Sequence, residues 1–305
     1  MYLNAVILQI VMLLLLVLIG LGLRHKNVFT DPVTKGVNTL LLKIAWPAMI
    51  LMAAQKDLPQ EQIPQVMTVL VLSTIIMSLT CVAVYLLFKG RIGKDRLAVF
   101  AGVSTMPNVG YVGIPIINVM YGNLGIIYLS GTIIALNIVM WTVLHLLIQE
   151  DGGAGRVLRA LFNPGIAASL LAMIFILSGL RLPEPLLSLS NHLGNMTISV
   201  SMILVGVRLK DTIKFQQLKS GVLWLSMAIR LLIIPIAVAL LLKAFGVTGI
   251  TYGVLVVSTA LPAAVATQFM AEQYNKDTAL AAQSASISLL ACLVTLPLVM
   301  LIAGI

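Results

Sequence analysis

Charged side chains are scarce in this sequence. Of its 305 residues only 10% are Asp, Glu, Lys or Arg, and 60% are hydrophobic, whereas about 25% of an ordinary soluble chain is charged. The mean hydropathy of +1.08 excludes a water-soluble globule and indicates an integral membrane protein whose partner is the lipid bilayer. A membrane-spanning helix with its connection takes about 30 residues, so no room remains for a catalytic or nucleic-acid-binding domain.

Acidic residues and cysteines are fewer still. All ten carboxylates lie in loops or near the ends of apolar segments, so the sequence offers neither a buried acidic proton relay nor an acidic sodium site. Cys81 and Cys292 have no partner at metal-ligand spacing, and we expect no metal and no cofactor. The net charge of +9 comes from bases scattered between apolar runs, which is typical of membrane orientation rather than of a nucleic-acid-binding surface.

Ten apolar segments follow one another along the chain. Each is long enough to cross the hydrocarbon core as a helix, and runs such as residues 11–19 show none of the alternation of a membrane β-strand. The sequence therefore predicts an all-α integral membrane protein with ten transmembrane helices. The expected bounds are 3–23, 37–55, 64–88, 97–121, 124–148, 163–180, 186–208, 220–244, 249–274 and 278–303.

Lys and Arg are distributed unevenly between the connections. Fourteen lie after odd-numbered segments and three after even-numbered ones, while Lys43 and Arg230 fall within segments. Since cytoplasmic loops carry the excess of bases, we expect the odd-numbered connections in the cytoplasm and both termini outside it. The expected location of the protein is the cell (inner) membrane.

The fourth and ninth segments share a pattern. Ser104 and Thr105 precede Pro107, as Ser258 and Thr259 precede Pro262, and the two prolines are 155 residues apart, about half the chain. Because five spans are an odd number, a duplication would place the second half in the opposite sense. The predicted units are two inverted five-helix repeats, 1–148 and 163–305, and a short cytoplasmic linker, 149–162.

Each proline lies near the middle of its segment. It removes a backbone donor and clashes with the preceding turn, so either proline alone predicts a kink and the matched pair predicts two broken, crossing helices. A helix that starts at midplane presents free N–H groups and a positive dipole end to an anion. We expect these substrate-binding residues: Asn108, Pro107, Gly110, Pro262, Ala263, Asn137, Arg230 and Gln268.

Two of these residues have structural alternatives, and a third lies away from the expected crossing. Arg230 is either part of the anion site or a buried cation satisfied by carbonyl groups. Asn137 either lines the cavity or hydrogen-bonds a neighbouring helix. Gln268 lies two turns past Pro262, below the expected crossing.

Two motifs resemble those of the auxin efflux carrier family. Residues 107–115, PNVGYVGIP, followed by MYG at 120–122, resemble the fourth-span motif of that family, and residues 260–262, 272–275 and 296–297 resemble its ninth and tenth spans. The long central loop of many plant members is missing, so the chain resembles a compact, prokaryotic member.

This resemblance implies an architecture similar to that of bile-acid symporters and sodium/proton antiporters. It implies a scaffold formed by 1–60 and 163–210 and a transport domain formed by 64–148 and 220–305 that moves like an elevator. The scaffold is expected to form a homodimer through the second and seventh membrane-spanning helices of the chain. The implied substrates are organic carboxylates, either auxin (indole-3-acetate) or malonate, with Asn108 as the substrate-side amide. Asn137 stands where plant carriers often have Gln.

We therefore expect a secondary active or facilitative transporter that exports a small organic anion. One alternative is a sodium- or proton-coupled symporter of the same fold. Sodium could be bound without a carboxylate by the oxygens of Ser104, Thr105, Ser258, Thr259 and Gln268. A distant alternative is an intramembrane enzyme or receptor. We do not expect an enzyme, since a buried aspartate pair is missing from the sequence.

Overall fold

The computed structural model describes residues 2–55, 59–149, 164–212 and 220–305. Within these ranges all regular elements are helical. The α-helices are α1 (Tyr2–His25), α2 (Asp31–Leu40), α3 (Trp46–Ala54), α4 (Ile63–Phe88), α5 (Lys94–Thr105), α6 (Ile114–Val139), α7 (His145–Ile148), α8 (Pro164–Ser178), α9 (Glu184–Thr212), α10 (Gly221–Ala228), α11 (Ile234–Ala244), α12 (Gly249–Ala260), α13 (Val265–Gln273) and α14 (Thr278–Ala303).

Seven helical segments of the described chain are long and apolar enough to cross a membrane, and the two helices at Ala167–Ser178 and Gly249–Ala260 are apolar but shorter. The prediction of an all-helical, multi-pass membrane protein is thus confirmed. The division into ten spans and two inverted repeats stays a prediction. The predicted linker, 149–162, lies outside the described residues except for Gln149.

Three π-helical turns each precede a proline. The turns Leu41–Ala45, Val109–Gly113 and Ile229–Ile233 lead directly into helices whose second residue is Pro47, Pro115 or Pro235. A proline cannot donate to the preceding turn and crowds the carbonyl there, and a π turn widens the helix at that point. Trp46 and Arg230, two side chains of the candidate site, lie in or directly after such turns.

The helices α1, α3, α8 and α9 pack together as one group. Two glycines bring α1 and α9 into backbone contact. A Cβ atom added at Gly20 would lie 2.0 Å from the Ile203 carbonyl oxygen, and one added at Gly206 would lie 1.9 Å from the Val17 carbonyl oxygen. Such small residues let membrane helices approach closely, so this pair forms a tight unit.

A second group contains α4, α5, α6 and the helices from α10 to α14. The close approach of α4 and α6 also depends on a glycine, because a Cβ atom at Gly131 would lie 2.7 Å from the Val66 carbonyl oxygen. Gly122 has φ 61° and ψ −151° and kinks α6. This kink lies at the expected boundary between the fourth and fifth segments.

Candidate functional site

Two helices are interrupted in the protein interior, and their unwound segments pair with each other. The helix α5 ends at Thr105 and α12 ends at Ala260. Residues 106–108 and 261–264, which we call the crossing, form an antiparallel bridge between Pro107 and Ala263. The Asn108 amide donates to the Pro262 carbonyl at 2.9 Å, and the Ala264 amide donates to the Met106 carbonyl at 2.9 Å.

This pairing explains how unwound backbone is stabilised in a dry interior, where each unpaired polar group is costly. Every residue of the crossing is buried. Besides the two bonds of the bridge, the Ala263 amide donates to the hydroxyl oxygen of Ser288 on α14 at 2.9 Å. Pro107 and Pro262 have no amide to satisfy. The crossing is therefore a hydrogen-bonded contact between two interrupted helices and not a local kink.

Some amides beyond the crossing remain without an acceptor. In the described ranges this is true of Gly110, in the π turn after the crossing, and of Val265 and Ala266, the first residues of α13. All three residues are buried. Free amides at a helix start carry partial positive charge and are suited to bind a carboxylate.

Asn108 lies at the same helix start. Its side-chain oxygen accepts from the Tyr111 amide at 3.4 Å, which fixes the orientation of the side chain. Its side-chain nitrogen has no acceptor among the described residues, and the residue is 5% exposed. This nitrogen is therefore a donor that a ligand oxygen could use.

Aromatic side chains pack against this helix start. The Trp46 and Tyr111 rings meet edge to face with their centroids 5.1 Å apart, and the Tyr111 hydroxyl is buried without a partner in the described structure. The Trp46 indole N–H donates to the Asn137 side-chain oxygen at 2.9 Å, and the Asn137 amide nitrogen donates to the Ile133 carbonyl. In this conformation both polar atoms of the Asn137 side chain are hydrogen-bonded to protein groups.

Met49, one turn after Trp46, lies directly over Gly110. A Cβ atom added at Gly110 would lie 2.5 Å from the Met49 terminal methyl group. Trp46 and Met49 on α3 thus cover the helix start that follows the crossing. In this conformation the Met49 and Trp46 side chains therefore cover Gly110.

Arg230 lies on the opposite side of the crossing, at the helix ends rather than the helix starts. It is 1% exposed. Its guanidinium donates to the carbonyls of Thr105 at 2.8 Å, Leu261 at 3.0 Å, Thr259 at 2.8 Å and Ser258 at 3.4 Å. These contacts are those of the structural alternative considered for Arg230, and its role in substrate binding stays a prediction.

Gln268 belongs to a polar chain that leads away from the crossing along α13. Its amide nitrogen donates to Glu272 at 3.1 Å. The Glu272 carboxylate also lies 3.2 Å from the Arg208 guanidinium on α9. The chain thus links α13 to a helix of the first group.

A cavity of about 190 Å³ is lined by residues outside the crossing. Its wall includes Ala54 at the end of α3, Ile63 at the start of α4 and Leu180 after α8, with the polar side chains of Gln60 and Arg181. It thus lies at a boundary between the two helix groups.

The structure brings five of the eight predicted site residues to the crossing and the helix start that follows it: Pro107, Asn108, Gly110, Pro262 and Ala263. Asn137 reaches this region through Trp46, whereas Arg230 and Gln268 have the separate contacts described above. Three neighbours were missed by sequence reasoning: Trp46, Tyr111 and Ser288. The Trp46-Pro47 pair at the middle of a span was the available signal for the first of them.

Comparison with known proteins gives a consistent result. The chain is 24% identical over 291 residues to an uncharacterized transporter of Methanocaldococcus jannaschii, covering 90% of this chain and 91% of the relative. It is 27% identical over 297 residues to an uncharacterized transporter of Methanothermobacter thermautotrophicus, covering 93% and 94%. It is 23% identical over 301 residues to the uncharacterized transporter YfdV of Escherichia coli, covering 94% of each chain.

The sequence profile of the membrane transport protein family matches residues 5–158 and 154–300, nearly the whole chain. The resemblance to auxin efflux carriers is thereby confirmed at the level of the family. The chain belongs to the membrane transport protein family, which is the auxin efflux carrier family.

Proposed function

We propose that the protein is a secondary carrier that exports a small organic carboxylate, of the malonate or indole-3-acetate type, by alternating access. The observation that carries this proposal is the set of buried donors without acceptors beside the crossing. They are the amides of Gly110, Val265 and Ala266 and the side-chain nitrogen of Asn108. A carboxylate has two oxygens that can accept from such a set, whereas a cation has none.

The charge of the interior supports an anion. Among the buried side chains of the described residues, Arg230 is the one with a permanent charge, and no carboxylate is among them. A buried positive charge without a carboxylate partner favours a negatively charged ligand nearby and disfavours a cation.

The packing supports movement of one helix group against the other. Within each group the contacts described above include backbone against backbone, as at Gly206 and Gly131. Between the groups they are made by side chains: Met49 over Gly110, the Trp46–Asn137 hydrogen bond and the partly exposed Arg208–Glu272 ion pair. Such contacts are cheaper to break and re-form than close backbone packing. We propose that α1, α2, α3, α8 and α9 form a scaffold and that the second group forms an elevator-type transport domain.

The proposal includes the topology and location predicted from the sequence. We propose ten spans in two inverted repeats, both termini outside the cell membrane, and a homodimer through the scaffold helices α3 and α9. The buried crossing then corresponds to a closed conformation in which Trp46 and Met49 cover the site.

The test is transport of labelled malonate and labelled indole-3-acetate by the purified protein in liposomes. Asn108→Ala should reduce transport of the accepted acid about 10-fold or more at subsaturating concentration, because a hydrogen bond to a charged group contributes about 1.5–3 kcal/mol. Asn118→Ala is the matched control, since Asn118 lies on α6, which follows the π turn after Asn108, and is exposed. Equal transport by Asn108→Ala and wild type would contradict the site, and transport of neither acid would contradict these substrates.

A further inference from the structure

Four carbonyl groups from two distant parts of the chain converge on one side chain. The Thr105 carbonyl belongs to the end of α5, and those of Ser258 and Thr259 belong to the end of α12. Leu261 supplies the fourth from the crossing itself. All four accept from the Arg230 guanidinium at 2.8–3.4 Å. We call this set the carbonyl cage.

The carbonyl cage is negatively polarised. The last carbonyl groups of a helix accept no hydrogen bond from an amide of the same helix. They carry the negative end of the helix dipole. Here two such ends meet inside a protein interior, where unpaired carbonyls and like partial charges are both costly. The cage therefore requires a cation or several donors.

Two hydroxyl groups belong to residues beside the carbonyl cage. The hydroxyl oxygens of Ser104 and Ser258 are buried and without a hydrogen-bond partner in the described structure. Ser104 precedes Thr105 in α5, and Ser258 itself contributes a cage carbonyl. An assembly of carbonyl and hydroxyl oxygens is the ligand set that proteins use for alkali cations, but here a guanidinium occupies it.

We propose that the carbonyl cage is a monovalent-cation site whose resident cation is the guanidinium of Arg230. The side chain clamps the ends of the two interrupted helices and supplies the charge that an alkali ion would otherwise have to supply. The cage of the native protein therefore takes no sodium, and substrate movement is independent of sodium. This last consequence rests on the proposed function, whereas the cage itself does not.

The π turn Ile229–Ile233 gives Arg230 this position. It is followed by Pro235, the second residue of α11. The planar guanidinium carries donors on three nitrogens, and Nε, Nη1 and Nη2 are all used. A lysine ammonium is a single point with three donors, so it cannot reach carbonyls that are arranged around a plane in the same way.

The experiment measures thermal unfolding by tryptophan fluorescence in detergent, with choline, sodium, potassium or guanidinium chloride at equal ionic strength. Wild type should unfold at the same temperature in all four salts at about 10 mM, since the cage is already filled. Arg230→Ala should unfold at a lower temperature in choline, and guanidinium at about 10 mM should restore at least half of the loss by binding the vacated cage. Arg208→Ala is the control, because this arginine is partly exposed on α9. Guanidinium should not raise the unfolding temperature of this variant.

Two further variants keep the proposal falsifiable if Arg230→Ala does not fold. Arg230→Lys should unfold between wild type and Arg230→Met, because an ammonium satisfies part of the cage and a thioether none of it. An Arg230→Met variant as stable as wild type would overturn the proposal. So would a folded Arg230→Ala variant that guanidinium does not stabilise, or a wild type whose unfolding temperature rises in sodium.

Transport in liposomes separates the cage from the proposed function. Wild-type transport of the accepted acid should be equal in sodium and potassium, and guanidinium should restore transport by Arg230→Ala together with its stability. Stabilisation by guanidinium without transport by any variant, wild type included, would contradict the proposed function and leave the cage supported. Transport by wild type that stops in potassium would contradict the cage and favour a sodium-coupled symporter.

Discussion

The substitution Gly206→Ala should loosen the contact between α1 and α9. The added Cβ atom would lie 1.9 Å from the Val17 carbonyl oxygen and 2.8 Å from the Leu21 nitrogen. Ordinary van der Waals contact begins at 3.4 Å, so the Cβ atom and the Val17 oxygen would overlap by 1.5 Å. Both neighbours are helix backbone, so no side-chain rotation can relieve the overlap, and α1 as a whole has to move.

The expected cost is about 1–3 kcal/mol, the range for an overpacked interior. At about 2–4 °C per kcal/mol for a large domain, the unfolding temperature should fall by roughly 2–12 °C. Gly22→Ala is the matched control on α1, because a Cβ atom there would have no atom within 4 Å. That variant should unfold at or slightly above the wild-type temperature, since Ala favours a helix more than Gly does.

The two cysteines provide the assay. Cys81 and Cys292 are both free and 0% exposed, and the sequence contains no others. A thiol-reactive fluorescent dye therefore reports unfolding of the protein in detergent as the temperature is raised. Unfolding of Gly206→Ala at the wild-type temperature, or an equal loss in Gly22→Ala, would refute the assignment of α1 and α9 as a tightly packed pair.

Two further substitutions test contacts of the second helix group with the same dye assay. Trp46→Phe should lower stability by about 1–3 kcal/mol, because the buried Asn137 oxygen loses its donor; wild-type stability would contradict that bond. Asp277→Ala should cost about 0.5–2 kcal/mol, because Asp277 caps α14 through the Leu280 amide at 2.9 Å. Asp95→Ala is its control and should unfold like wild type, since the Asp95 side chain is 84% exposed, and equal losses in both would contradict the cap.

The sequence was informative where one residue type determines the local backbone. Scarce charge and long apolar runs predicted a multi-pass helical membrane protein, which is confirmed. The proline motifs predicted the family, which is also confirmed. Pro107 and Pro262 lie where α5 and α12 have ended, and a missing donor favours such an end. Pro297 lies inside α14, so a proline alone does not determine where a helix is interrupted.

The contacts between distant residues could not be predicted in the same way. Nothing in the spacing indicates that the Asn108 amide donates to the Pro262 carbonyl and the Ala264 amide to the Met106 carbonyl, since these bonds depend on how two helices pack. Arg230 is the clearest case. Its position in an apolar run implied a buried charge, but whether it faced a ligand or carbonyl groups depended on residues 28 to 125 positions away.

The contact between Arg230 and Thr105 also has a consequence for biosynthesis. The two residues are 125 positions apart, and ribosomes add about 5–20 residues per second, so α5 is made roughly 6–25 s before its clamp. During that interval the end of α5 has to be accommodated by lipid, water or the insertion machinery. An N-terminal fragment ending before α10 would lack Arg230 permanently. Co-expression of the remaining C-terminal part should increase the amount of this fragment that cells retain.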